Sequence, residues 1–244
     1  MVLRNLTQSD FSADILERSF VNISRKGKFL VLDMSGGRLI VINPMLAGGL
    51  QYCTTTERTP KSVYIVLSLS NGSELRYFDT KQMGMVYYLE PGQIAQVPRI
   101  NEQGPDVLDE PMPLQDFSER LRKHQGEIKG ILTSGRFASG IGNTYSDEIL
   151  FAAGILPFKK RAALSNEEVK RLHEATYSVT RHAVEVLRER VGTDIHKKIR
   201  DFLLVHGKGG QPCPRCGSTI THLTANQRIT DYCRNCQPGT LHRN

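Results

Sequence analysis

Four cysteines near the C-terminus constrain this chain more than any other feature. The stretch CPRCGSTITHLTANQRITDYCRNC, from Cys213 to Cys236, reads Cys-x2-Cys, sixteen residues, Cys-x2-Cys. A two-residue gap lets both thiolates of a knuckle turn toward one ion, and two knuckles supply four soft sulfur ligands at tetrahedral angles. The intervening residues suffice for a β-hairpin that returns the second knuckle to the first, and STITHL and RITDYC have the β-branched content it needs. So small a ribbon cannot bury enough surface to fold alone, so the metal supplies its folding energy. Structural Zn²⁺ on Cys213, Cys216, Cys233 and Cys236 is the expectation; a redox dithiol pair and an iron–sulfur site are the alternatives. With all four positions cysteine, no coordination site is open for catalysis. His222, inside the ribbon, then reads as a surface histidine. Arg228, near the hairpin tip, is either a solvated arginine or a cation pushed toward a partner.

The remaining cysteine, Cys53, follows LQY on an expected strand and reads as a small buried apolar residue. Five cysteines so placed do not make a disulfide framework. The first residues carry no apolar leader core, and no run of 18 apolar residues occurs, so neither secretion nor a membrane span is expected. Charge is uneven. Residues 1–120 carry 12 Lys and Arg against 14 Asp and Glu, whereas residues 121–244 carry 20 against 11. A neutral front and a basic back suggest that the back half meets a polyanion, the alternative being a solvated basic surface.

From about residue 19 to 90 the chain reads as short strands. KFLVLDM, RLIVINP, GGLQYCT, SVYIVLSLS, ELRYFDT and GMVYYLE are rich in β-branched and aromatic residues and separated by turn formers. Asn71-Gly72 is a two-residue hairpin signal. An antiparallel sandwich or barrel over 1–90 follows. Periodicity lapses over 91–112, where Pro and Gly accumulate, and this reads as a linker or long crossing loop. Residues 113–200 turn helical. PLQDFSERLRKH spaces Leu114, Phe117 and Leu121 as a helix does, and SNEEVKRLHEATYSVTRHAVEVLRERV opens on Ser165 with Glu168 three residues later, a capping box. The cysteine ribbon occupies 201–240.

The second informative stretch is GRFASGIGNTYSDEILFAAGILP. Gly140 and Gly142 allow a tight turn, and the helix that starts near Asn143 presents unpaired backbone N–H groups and a positive dipole end. That is a phosphate seat with the Asn143 amide as an added donor and Lys129, in GEIKGILT, as a nearby cation. A plain helix-connecting turn is the alternative.

GIGNTYSDEILFAAGILP, a long helix and a ribbon carrying NQRITDYCRNCQ together resemble the formamidopyrimidine-DNA glycosylase and endonuclease VIII (Fpg/Nei) family. RKGKFLVLDM is similar to that family's RRxKYLL strand, NPMLAGGL to its HLxMxGxL turn and YFDTKQMG to its DxRxFG loop. The resemblance runs from about residue 20 to 238. It implies an α+β chain of two domains, an N-terminal antiparallel β-sandwich and a C-terminal helical domain with a helix–two-turn–helix unit and a four-cysteine zinc ribbon. It also implies base-excision repair: a DNA glycosylase/AP lyase that flips damaged, oxidised bases from double-stranded DNA. Such an enzyme extrudes the base because the glycosidic bond is out of reach inside the duplex. A monomer in the cytoplasm, associated with the nucleoid, is expected.

Carried over position by position, Asn143 and Arg228 bind the phosphates flanking the flipped nucleotide, with Gly142 and Lys129 beside them. Lys28 matches an active-site lysine that contacts a backbone phosphate; a solvated strand-end lysine is the alternative. Leu46, Gln82 and Met83 take the positions that fill the gap left by the base, unless Leu46 and Met83 pack in the core. The family's nucleophile is an N-terminal proline followed by glutamate, whose terminal amine attacks C1′. No Pro-Glu stands near Val2, and Asp10, Asp14 and Glu17 read as ordinary surface carboxylates. The expectation is that the family's catalytic segment is missing here and that the chain as written is catalytically deficient. Its alternative is a DNA-binding or lesion-sensing module without lyase chemistry; a zinc-ribbon protein adaptor fits the basic back half poorly.

Overall fold

A computed structural model describes residues 2–5, 10–225 and 228–239. The chain divides into two compact units, Met1–Glu102 with Glu189–Lys198, and Gln103–Arg188 with Ile199–Asn244.

The first unit is a sandwich. Its larger sheet is ordered β1 (Leu3–Asn5), β8 (Met85–Leu89), β4 (Arg38–Asn43), β3 (Phe29–Met34) and β2 (Phe20–Lys26). The smaller is ordered β5 (Gly48–Thr54), β7 (Ser73–Asp79) and β6 (Val63–Ser68). All pairings are antiparallel except β1 with β8, which is parallel, Leu3 opposite Val86. Leu32, Ile40, Ile42, Tyr77, Val86 and Tyr88 form the core between the sheets. On the other face of β3, β4 and β8 a second core of Phe29, Val31, Leu39, Val41, Tyr87 and Leu89 is covered by Val97 and Ile100. Burial on both faces explains why FLVL, LIVI and VYYL are continuous apolar runs rather than alternating ones.

That cover departs from the reading of 91–112 as a linker. Its first part forms two 3-10 turns, Pro91–Gln96 and Ile100–Glu102, and Ile100 is fully buried. The Pro and Gly that break periodicity there shape tight turns over the sheet. The β6–β7 hairpin also differs from the two-residue expectation. Gly72 N–H donates to Leu69 O and Leu69 N–H to Ser73 O, so the loop is Leu69–Gly72 with Gly72 in the left-handed region at φ 79°.

Asp14 is not the ordinary surface carboxylate expected. It ends α1 (Phe11–Asp14), a short helix capped by Asp10, whose Oδ1 accepts from Ala13 N at 3.1 Å. Asp14 Oδ2 accepts from Arg38 Nε and Tyr88 Oη, both at 2.7 Å, while Oδ1 pairs with Arg18. These donors hold its carboxyl far below the usual carboxylate range, Arg38 contributing most. Cys53 is buried in β5, and burial pushes its thiol up.

The second unit packs α2 (Leu114–Arg122), α3 (Ile128–Thr133), α4 (Asn143–Ala153) and, as far as Arg188, α5 (Asn166–Val191). Phe117, Leu121, Ile128, Leu132, Phe137, Ile149, Leu150 and Leu172 fill their core. The capping box forms: Glu168 N–H donates to Ser165 Oγ, and Ser165 N–H to Glu168 Oε2. Gly154, left-handed at φ 68°, ends α4 as a C-terminal glycine should. The ribbon strands β9 (Thr221–Ala225) and β10 (Arg228–Tyr232) pair antiparallel. Rather than standing apart, the ribbon belongs to this unit, Phe151 of α4 packing with Val205, Cys213, Ile220 and Cys233. No helix among the described residues is long and apolar enough to cross a membrane.

Candidate nucleic-acid interface and zinc centre

The four cysteines converge. Cys213 Sγ lies 3.8 Å from Cys236 Sγ, and Cys216 Sγ 3.5 Å from Cys233 Sγ. Four sulfurs at about 2.3 Å from a tetrahedral ion stand roughly 3.8 Å apart, so the site fits Zn²⁺. Each knuckle is set by local bonds. Gly217, at φ 76°, donates its N–H to Cys213 O, and Gln237 N–H donates to Cys233 O. Side-chain hydrogen bonds from Ser218 and Asn235 bring the Cys216 thiol down to about 5, whereas burial and the neighbouring thiols push Cys236 up to about 12. A bound zinc fixes all four as thiolates, and loading releases protons. His222 is half-exposed and pairs its Nδ1 with Asp231 Oδ1 at 2.6 Å, outside the sulfur shell.

Beside the ribbon lies the N-terminus of α4. Gly140, at φ 94°, turns the chain and Gly142 caps the helix in an extended conformation. No side chain caps this end, and among the described residues no acidic residue lies in its first turn. Ser146 N–H is the first to reach a helical carbonyl, Gly142 O at 2.9 Å, which leaves the amides of residues 143–145 facing outward. A Cβ placed on Gly142 would meet nothing within 4 Å, so the seat is open. The ribbon closes on it: Asn143 Nδ2 donates to Ile229 O at 2.8 Å, next to the exposed Arg228. Asn143, Gly142 and Arg228 therefore come together, from segments 85 residues apart in sequence, and offer an anion helix amides, a side-chain amide and a guanidinium.

Lys129, expected as a cation near the seat, lies beside it but faces inward. It is buried on α3, and its Nζ reaches Asp147 Oδ1 at 2.6 Å, Thr230 Oγ1 at 2.7 Å and Ile229 O at 2.8 Å. Burial pushes its ammonium below the ordinary lysine value, with Asp147 opposing. An ammonium has three protons to donate, and three internal acceptors face this one.

In the sandwich unit, register puts the other expected residues at one end. β4 ends at Asn43 opposite Met85, and β7 ends at Asp79 opposite Gly48, so the turn after Asn43 and the loop after Asp79 both cross between the sheets there. Lys28 sits in the β2–β3 turn at that end, since Leu30 pairs with Ile42. Leu46 is 55% exposed and Met83 40%, so neither packs in the core. Fully buried Asp79 shapes the second loop by accepting from Lys81 N at 3.0 Å and Gly84 N at 2.6 Å. A Cβ on Gly84 would overlap the Tyr77 hydroxyl. Met45 and Gln82, at φ 50° and 55°, hold left-handed conformations that favour glycine.

Known proteins match in the same order. Family models described as formamidopyrimidine-DNA glycosylase N-terminal domain, formamidopyrimidine-DNA glycosylase H2TH domain, and zinc finger found in FPG and IleRS match residues 1–86, 103–195 and 210–239. A formamidopyrimidine-DNA glycosylase of Symbiobacterium thermophilum is 34% identical over 93% of this chain and 76% of its own length. That of Desulforamulus reducens is 31% identical over 97% and 87%. The chain belongs to the formamidopyrimidine-DNA glycosylase family. Among solved structures, Lactococcus lactis Fpg in complex with abasic-site DNA superimposes with a TM-score of 0.79 at 25% identity, covering 91% of this chain and 83% of that one. The same protein with Fapy-dG DNA gives 0.79 at 26%.

Within this Fpg fold, sequence reading missed the groups that act through the backbone. Gln237, fully buried, accepts from Cys233 N and donates to Ile155 O, both at 2.9 Å, pinning the second knuckle to the end of α4. Glu148, on α4, accepts from the N–H groups of residues 204–206 at 2.8–2.9 Å and holds the turn that leads into the ribbon. A glutamate on an apolar helix face was the visible signal for Glu148; nothing local marked Gln237.

Proposed function

We propose that this chain is a base-excision repair protein that grips damaged or abasic double-stranded DNA as a monomer, in the cytoplasm at the nucleoid. Asn143, Gly142 and Arg228 hold the phosphodiesters flanking a flipped, oxidised nucleotide. Lys28 contacts a phosphate at the strand end of the sandwich, and Leu46, Gln82 and Met83 occupy the gap the base leaves, Leu46 and Met83 as apolar wedges and Gln82 as a hydrogen-bonding group. The observation that carries this reading is the Asn143–Ile229 hydrogen bond, which sets Arg228 beside an uncapped helix N-terminus. The basic back half supplies the field that draws the polyanion in.

The test is binding to a duplex carrying a tetrahydrofuran abasic analogue. Arg228→Ala lowers affinity on the order of tenfold, as loss of one charge-assisted contact should. The slope of log K against log salt falls by about 0.9, one phosphate contact. Unchanged affinity and slope would remove Arg228 from the interface.

Full DNA glycosylase/AP lyase chemistry in the family manner needs a proline amine beside a glutamate, and residues 2–19 contain no proline. The chain is therefore read as the family's DNA glycosylase acting on oxidised bases, with that Pro-Glu pair missing from residues 2–19; a lesion-sensing module without lyase chemistry is the alternative. Borohydride with true abasic-site DNA gives no efficient covalent adduct; robust trapping would show that another amine here does the lyase step.

A further inference from the structure

Strand β10 carries Arg228 as its first residue, and its next three residues are each tied to helices of the same unit. Ile229 O accepts from Lys129 Nζ and Asn143 Nδ2, both at 2.8 Å. Thr230 Oγ1 lies 2.7 Å from Lys129 Nζ, and Asp231 N–H donates to Asp147 Oδ2 at 3.2 Å. Lys129 and Asp147 are themselves paired at 2.6 Å, and Asp147 takes a further hydrogen bond from His206 Nδ1 at 2.7 Å. Thus one buried ion pair, with Lys129 on α3 and Asp147 on α4, holds the strand that displays Arg228.

We propose that Lys129 is the positioning residue of the phosphate grip: it touches no phosphate, but locks β10 against the N-terminus of α4 so that Arg228 and the helix amides address the same stretch of DNA backbone. A hydrophobic seam could hold a ribbon in place, but it would let β10 slide. A carbonyl shared by two donors from two helices fixes the strand along its axis, because a slip of one residue along a strand reverses which groups face the helices. The arrangement also explains why a charge pair is buried where apolar packing would be no less stable: it sets register.

This rests on the reading of Arg228 as a phosphate ligand, and the experiment separates the two. Affinity and salt slope for the tetrahydrofuran duplex are measured with the zinc-loaded full chain in a double-variant cycle. Lys129→Met is combined with Asp147→Asn, so that neither charge is left buried alone. In the Arg228 background this pair costs on the order of tenfold and lowers the salt slope by about 0.9, as if Arg228 had left the interface. In the Arg228→Ala background it costs no more than about twofold and leaves the slope unchanged. A purely stabilising role would lower the melting temperature and leave the slope alone. Losses that multiply in full would make Lys129 an independent contact and overturn the inference, as would a pair variant that binds like the parent. If Arg228→Ala alone changes nothing, the phosphate reading falls instead. Should the pair variant lose its zinc, Thr230→Val removes only the Nζ–Oγ1 hydrogen bond. A loss that disappears in the Arg228→Ala background then supports the role, and one that persists, or no loss at all, overturns it.

Discussion

Each unit of the molecule gathers donors around one aspartate, and the two clusters do different work. Asp14 in the sandwich accepts from Arg18, Arg38 and Tyr88. Asp147 in the helical unit accepts from Lys129, His206 and the Asp231 amide. Asp14 keeps 16% of its side chain exposed, whereas Asp147 keeps none. Water screens the first cluster, so its charges are individually cheap to lose. The second lies where an unpaired charge is strongly unfavourable, and its partners include the backbone of the strand that displays Arg228. Removing Asp14 therefore loosens a small helix, while disturbing Asp147 loosens the strand that carries Arg228.

Zinc removal breaks the comparison hardest, because the ion supports only the second cluster's side. Without it the ribbon cannot stay folded, and both Arg228 and the carbonyl that orients Asn143 lose their scaffold. Two charge-assisted contacts at roughly 1.5 kcal/mol each correspond to about a hundredfold in affinity for abasic duplex. Chelation should produce that loss and re-addition of zinc restore it, while circular dichroism shows the helices kept. Unchanged affinity in the chelated protein would detach the ribbon from binding altogether. Acid should mimic chelation, because protons compete with the metal for the four thiolates.

The same contrast explains what the sequence made legible. Cysteine spacing, the Ser165 capping box and the strand runs are local patterns, and each produced the element it announced. The helix start at Gly142–Asn143 was readable because closely spaced glycines mark a tight turn ahead of a helix. The burial of Lys129 was not legible because its partners, Ile229 and Thr230, lie about a hundred residues away, and nothing adjacent marks a lysine as buried. Asp14 failed for a similar reason. Its surroundings, SDFSADILERSF, are polar enough for a surface helix, yet Arg38 and Tyr88 come from β4 and β8. Likewise the first part of the 91–112 stretch, residues 91–102, lost its period because it turns tightly over a sheet that needed covering, which a chain without visible periodicity does not advertise.

The smallest effect should come from Asp14, and its pH dependence gives it a signature. The folded-state carboxyl lies far below its unfolded value, so the cluster stabilises the fold above the ordinary carboxylate pKa and the contribution is lost as pH falls toward the depressed value. Relative to Asp14→Asn, the native chain should therefore melt higher at neutral pH, and the gap should close steadily below about pH 4. Because Arg18 and Arg38 are partly exposed, added salt should narrow the neutral-pH gap as well. DNA affinity should stay the same throughout, since α1 carries none of the groups assigned to the interface. Melting curves of the two proteins across pH test this directly. A gap independent of pH would mean that Asp14 acts by packing rather than charge, and a change in DNA affinity would mean that the two clusters are not separate in function.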